Sequence, residues 1–142
     1  MDKSIALVTG SFNILHPGHI KLLKFSKDFG EVIVGLKSDL YLYEKYGEHN
    51  TILMKDRLLV LNSCIYVDRV IVYNEKNPIK LIEKIKPNFY IKGPNYKNVT
   101  LPEDSILNIL GIKKIIQPDK KEYSSEDIIK NLSIKTLNFF NS

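Results

Sequence analysis

With 142 residues, 44% of them hydrophobic and 26% charged, the chain has the size and composition of one globular domain spanning 1–142. No apolar run is long enough to cross a bilayer, so no membrane partner is expected, and MDKSIALVTG meets Gly10 too soon to be a secretory leader. The net charge of +5 admits nucleic-acid binding or attraction of small polyanions such as nucleotides and sugar phosphates, and because the lysines are dispersed along the chain and not gathered in a block, charge alone decides little between them.

SIALVTG, residues 4–10, is a continuous apolar run closed by Thr-Gly and predicts a buried strand. PGHIKLLKFSKDFG, 17–30, sets Ile20, Leu22, Leu23, Phe25 and Phe29 among lysines at helical spacing, with Pro17 as first helical residue and Gly30 as stop. EVIVGLKSD, 31–39, is a second strand, and DLYLYEKYGEHN, 39–50, predicts a loop or short helix. TILMKDRLLVLNSC, 51–64, is a helix; the single Cys64 in its LNSCIYV setting reads as core, and one cysteine fits a reducing cytoplasm. DRVIVYN, 68–74, is a third strand. NPIKLIEKIK, 77–86, is a helix opened by Asn-Pro and closed before Pro87. NFYIKGPN, 88–95, is a fourth strand entering a Gly-Pro turn, LPEDSILNILG, 101–111, a helix with a glycine stop, and IKKIIQ, 112–117, a fifth strand. SSEDIIKNLSIKTLNF, 124–139, is a last helix, with Ser124 or Ser125 as cap and Glu126 and Asp127 in its first turn.

Alternating strands and helices predict an α/β, Rossmann-like, doubly wound five-stranded parallel sheet with right-handed crossovers. Ligands of such sheets bind at the carboxyl ends of the strands, so the residues to inspect are 10–19, 37–39, 74–78, 92–96 and 117–126.

GSFNILHPGH, residues 10–19, is the densest of these stretches in chemistry. Gly10 lets the chain turn tightly after a strand and lets a ligand approach the backbone. The helix opening at Pro17 presents backbone N–H groups, a ready anion site. His16 and His19, three apart, share one face of that first turn. Two imidazoles there can donate hydrogen bonds to phosphate and, when protonated, neutralise developing charge. A zinc pair would need a third ligand that no Cys/His cluster supplies, and neither GxGxxG nor a P-loop is present.

The segment resembles the HxGH signature of the cytidylyltransferase-like nucleotidylyltransferases, and the resemblance runs over nearly the whole chain. LKSD, 36–39, resembles the NSD after the family's second strand. YNEKNPIKLIEKIKPNFYIKGPNYK, 73–97, is similar to the corresponding run of heptose-1-phosphate adenylyltransferases, and YSSEDIIK, 123–130, resembles the STT-x-I-I opening of the last helix. The short polyol-phosphate cytidylyltransferases, such as the glycerol-3-phosphate type, share the skeleton.

The resemblance implies nucleotidyl transfer: an acceptor phosphate attacks the α-phosphorus of an NTP and pyrophosphate leaves. It implies His16, His19 and Lys45 as catalytic residues that steady phosphates. It gives the nucleotide to Gly10, Ser11, Phe12, Asn13, Gly18, Lys92, Gly93, Tyr123, Ser124 and Ser125, and the acceptor or its phosphate to Arg57, Asp39 and Asn95. Arg57 has a second reading, a helix-face arginine paired with Asp56 or Glu48. Mg²⁺ would ride on the triphosphate with no protein metal site. The partners implied are an NTP, a small phosphorylated sugar or polyol and, as in small relatives, a second copy of the chain in a homodimer; the YLYEKY patch fits an acceptor-site or dimer-contact loop. The short chain, with no fused kinase domain, favours CMP transfer for surface-glycan or headgroup synthesis. The alternatives are an adenylyltransferase of the heptose-phosphate or NAD, FAD or CoA type, and a non-catalytic nucleotide-binding sensor.

Several positions depart from the family pattern. Asn13 stands where the sugar and polyol enzymes carry Asp, Gly93-Pro94-Asn95 replaces GGD, and Lys45-Tyr46-Gly47 replaces Lys-Gly. Glu126 replaces the second Thr of STT, and Lys120 and Lys121 stand in for an arginine without its bidentate geometry. These changes point to an unusual acceptor or an altered activity.

Overall fold

In a computed structural model, residues 3–46 and 52–118 are described, with 128 and 131 as isolated positions. The apolar run at the start forms strand β1, Ile5–Gly10, whose Ala6, Leu7 and Val8 are wholly buried. Such a strand needs cover on both faces, and it sits at the middle of a five-stranded sheet of order β3-β2-β1-β4-β5. The other strands are β2 (Glu31–Lys37), β3 (Arg69–Tyr73), β4 (Phe89–Lys92) and β5 (Lys113–Ile116), and every pairing is parallel. Ala6 lies opposite Val32 on one side and Phe89 on the other.

Because side chains alternate along a strand, the sheet feeds two cores. Ala6, Val8, Val32, Val34 and Ile91 pack with Leu23 of helix α1 (Pro17–Lys27) and Leu61 of helix α3 (Met54–Asn62). On the other face Leu7, Ile33 and Tyr90 pack with Leu81 and Ile82 of α4 (Ile79–Ile85) and Leu107 of α5 (Asp104–Leu110). The close fit of α4 needs Gly35 in β2, where a Cβ would lie 2.6 Å from Leu81 Cδ2. α1 ends at its C-cap Asp28, and Gly30, just before β2, takes φ +145, where a Cβ would lie 2.2 Å from the Ser4 carbonyl oxygen.

Residues 39–46 form a helix, α2 (Asp39–Tyr46), so the helical alternative holds for this segment. The third helix begins at Met54, later than the apolar pattern suggested, with no side-chain cap. Asn77, ahead of Pro78, accepts a hydrogen bond from Ile79 N–H and opens α4. Of the predicted last helix only positions 128 and 131 are described, both helical.

The chain builds outward from β1 to β2 and β3, then crosses back to β4 and β5. The order therefore reverses between β1 and β4, and the carboxyl ends of these two strands flank the crevice where such sheets take ligands.

Candidate active site

At the end of β1 the chain turns through Ser11 and Phe12. Phe12 is buried with φ +47, an uncommon value for a side chain with a Cβ. Its ring lies across Gly10, where a Cβ would come within 3.2 Å of Phe12 Cε2, and 5.0 Å from the His19 ring. Asn13 is also buried, and its Oδ1 accepts from Ile52 N–H at 3.0 Å, tying the loop to the entry of α3.

His16 is the N-cap of α1 and His19 its third residue, and the two form a reciprocal capping box. His16 Nδ1 accepts from Gly18 N–H at 3.1 Å, and His19 Nδ1 accepts from His16 N–H at 3.2 Å. The rings stack with centroids 3.8 Å apart. With both Nδ1 atoms acting as acceptors, the hydrogen bonds assign the ring proton of each neutral imidazole to Nε2. The backbone of the helix terminus thus makes each histidine an Nε2–H donor.

Arg57 of α3 is 2% exposed and turns inward, away from the helix face. Its Nη1 donates to the carbonyls of Ser11 and Lys37, each at 2.7 Å, its Nε donates to the Ile52 carbonyl at 2.9 Å, and its Nη2 meets Asp39 Oδ1 at 3.0 Å. The side chain clamps the carboxyl ends of β1 and β2 together. Its ionic partner is Asp39, so the expected pairing with Asp56 is corrected; Glu48 lies outside the described residues. The reason is burial: a guanidinium among strand-end carbonyls finds more acceptors than one on a solvated helix face. Asp39 Oδ1 also accepts from Met54 N–H at 2.7 Å, tying the start of α2 to the first residue of α3.

Across the switch point, β4 delivers Lys92, 9% exposed, with its Nζ 4.2 Å from the Tyr96 ring centroid. Burial lowers its pKa to about 8; the nearby Glu103 carboxylate works against this, and Lys37 and Lys114 add to it. Glu103 is 4% exposed and accepts a hydrogen bond from the Tyr90 hydroxyl, which in turn lies 2.8 Å from Thr9 Oγ1. Burial, and then the neighbouring Glu103 charge, hold the Tyr90 phenol protonated. Thr9, Lys92, Tyr96 and Glu103 line a cleft of about 330 Å³ that also takes in Gly10, Ser11, Lys37 and Lys76.

The structure therefore brings Gly10, Ser11, Phe12, Asn13, His16, Gly18 and His19 into one loop and helix start, joins Arg57 and Asp39 to it, and sets Lys92 and Gly93 across the crevice. Gly18 N–H is engaged by His16. Asn95 is exposed on the short 3₁₀ turn Pro94–Tyr96. Lys45 lies on α2, but its side chain is outside the described residues, as are Tyr123, Ser124, Ser125, Lys120, Lys121 and Glu126. The sequence reading missed Thr9, Tyr90 and Glu103 as site residues. Among the described residues, no helix is long and apolar enough to cross a membrane.

The family model described as cytidylyltransferase-like matches residues 7–131. The chain belongs to the cytidylyltransferase-like family. The match takes in β1 from Leu7 onward, the His16–His19 box, the cleft and β5. The Bifunctional protein HldE of Campylobacter curvus (strain 525.92) is 38% identical over 98 residues, which cover 68% of this chain and 21% of that protein. The Bifunctional protein HldE of Blochmanniella floridana is 32% identical over 146 residues, covering 96% of this chain and 29% of that one. The chain thus spans under a third of the length of these curated relatives. The crystal structure of the lipopolysaccharide core biosynthesis protein from Thermoplasma volcanium GSS1 superposes with a TM-score of 0.69 at 30% identity, covering 85% of this chain and all of that one. The doubly wound nucleotidylyltransferase-type fold of the family is the fold described above.

Proposed function

We propose that this domain is a nucleotidylyltransferase that moves AMP from ATP to a small phosphorylated sugar or polyol. The observation that carries the reading is the capping box, which fixes two Nε2–H imidazole donors at a helix N-terminus beside the switch-point crevice. In the reaction an acceptor phosphate oxygen bonds to the α-phosphorus, the bond from that phosphorus to the β-bridging oxygen breaks, and pyrophosphate leaves. The protein's part is positioning and neutralising charge on the transferring phosphoryl oxygens. His16 and His19 donate to those oxygens, the loop at Gly10–Asn13 receives the nucleotide, and Lys92 faces phosphate from the other side. Mg²⁺ carried with the NTP would supply charge neutralisation on the triphosphate, and Asn13, which is neutral, would offer the ion no carboxylate.

Adenylyl transfer is supported by the HldE relatives together with the likeness of residues 73–97 to heptose-1-phosphate adenylyltransferases. It displaces CMP transfer, which chain length alone had favoured. The cytoplasm, where NTPs are made, is the expected compartment. A homodimer is part of the proposal, as the family resemblance implies, and exposed Leu59, Val60 and Ile65 on and after α3 support it.

Pyrophosphate release tests the reading, with ATP, CTP, GTP or UTP plus Mg²⁺ against sugar, heptose and polyol phosphates. Acceptor-dependent release fastest with ATP is expected. Release with CTP alone would restore CMP transfer, tight NTP binding without release would favour a sensor, and neither binding nor release would overturn the reaction class.

A further inference from the structure

Two opposite charges are buried in the cleft without touching each other. Lys92 and Glu103 feel each other's field, yet they form no ion pair among the described residues. A carboxylate only 4% exposed needs compensation, and Glu103 receives it on one oxygen alone, from the Tyr90 hydroxyl. Because Tyr90 donates there, the hydrogen bond between Tyr90 and Thr9 must be donated by Thr9. The relay from Thr9 through Tyr90 to Glu103 Oε2 locks the carboxylate plane. The other oxygen, Oε1, has no hydrogen-bond partner among the described residues and belongs to a side chain that lines the cleft.

We propose that Glu103 is a specificity-determining residue, whose Oε1 accepts a hydrogen bond from a hydroxyl of the acceptor while Lys92 holds that acceptor's phosphate. The proposal rests on the transfer reading for the word acceptor, and its chemistry stands on the cleft alone. An ionised carboxylate only accepts, so it selects a donor and repels a second anionic group. Lys37, Lys76 and Lys92 all line the same space, which disfavours a cationic donor and leaves a neutral hydroxyl as the match. The ligand class is a phosphate ester of a polyhydroxylated carbon chain, and a plain alkyl phosphate displaces water from the cleft without offering Oε1 a donor.

Ribitol 5-phosphate and n-pentyl phosphate make a matched pair, the same five-carbon chain with and without hydroxyls. Calorimetric titration of the whole chain is expected to show ribitol 5-phosphate binding at least about tenfold more tightly, as for a hydrogen bond to a charged group. In Glu103→Gln, Tyr90 retains the amide oxygen and the NH₂ group faces the cleft, so the preference collapses to about twofold or less while inorganic phosphate binding is not weakened. In Tyr90→Phe the charge stays but the carboxylate is unlocked, and the preference falls part of the way. An equal affinity of the wild type for both esters, or an unchanged preference in folded Glu103→Gln, overturns the proposal. So does a Glu103→Gln variant that loses affinity for ATP but not for 2′,3′-dideoxy-ATP, since the hydroxyl read would then belong to the nucleotide. These titrations need no turnover: a wild type with no preference but with pyrophosphate release intact sinks only the role of Glu103, and a wild type that keeps the preference but releases no pyrophosphate sinks only the transfer reading.

Discussion

The two histidines each do two jobs, and substitution can separate them. His16 caps α1 through Nδ1 and presents Nε2 as a donor. Asn is among the best N-caps but has nothing in the place of Nε2–H. His16→Asn should therefore keep the thermal midpoint close to wild type and still lose at least about 10² in turnover, whereas His16→Ala should lose both turnover and about 1 kcal/mol of stability. A His16→Asn enzyme with wild-type turnover would remove His16 from the chemistry. Lys92 makes a prediction about pH. Its folded pKa is depressed to about 8 by burial, so the folded chain releases this proton before the unfolded chain does. The penalty on stability is complete below about pH 8 and fades as pH climbs toward the ordinary lysine value near 10.4. Binding of a phosphate dianion reverses the shift, so ribitol 5-phosphate binding should take up a proton near pH 8 and weaken as pH rises further. Calorimetry in two buffers of different ionisation enthalpy reads the proton directly, and zero uptake would rule out Lys92 as the phosphate ligand. The histidines were legible in the sequence because their chemistry is local, packed into ten consecutive residues. Glu103 was not, because its meaning comes from Tyr90 and Thr9, which reach it from two other strands, and nothing in LPEDSILNIL marks that glutamate as buried.

Elements are held in register here by one side chain more than by any loop. Arg57 comes from α3 but bonds to Ser11 after β1, Lys37 at the end of β2, and Asp39 at the start of α2. Arg57→Met keeps the apolar volume but removes the donors to the Ser11, Lys37 and Ile52 carbonyls and the ionic partner of Asp39. It should lower the unfolding free energy by about 3 kcal/mol or more, read as a lower denaturant midpoint with an unchanged slope. A loss below about 1 kcal/mol would mean that the clamp is dispensable. Arg57→Lys should fail nearly as badly, because one ammonium cannot serve four acceptors spread around a planar fork. The sequence made the residue conspicuous, as a phosphate ligand or a helix-face arginine, but did not show it as a clamp, since helical periodicity says which face a residue is on and not how far a long side chain can reach back. Segment 39–46 was ambiguous for a related reason: its aromatic and charged residues alternate too closely to favour either period, and the helix is completed by contacts such as Asp39 with Arg57 and Met54 N–H.

At the scale of the molecule, topology was the most legible property. Strand–helix alternation leaves few ways to connect a parallel sheet with right-handed crossovers, and the return from β3 across to β4 creates the crevice. What such alternation does not encode is association, because a surface leucine reads the same whether water or another chain covers it. Leu59 is 66% exposed, Val60 47% and Ile65 83%, and all three lie on or just after α3. Scattered exposed apolar residues are ordinary, so the argument for a dimer rests on their lying together in sequence on one element. If a second copy covers them, light scattering after gel filtration should give twice the chain mass of 16.4 kDa. Leu59→Lys with Ile65→Lys should then shift the mass to the monomer without unfolding it, since neither side chain contributes to either core. A monomeric wild type would overturn the dimer while leaving the cleft untouched, because the capping box, Lys92 and Glu103 all come from a single chain.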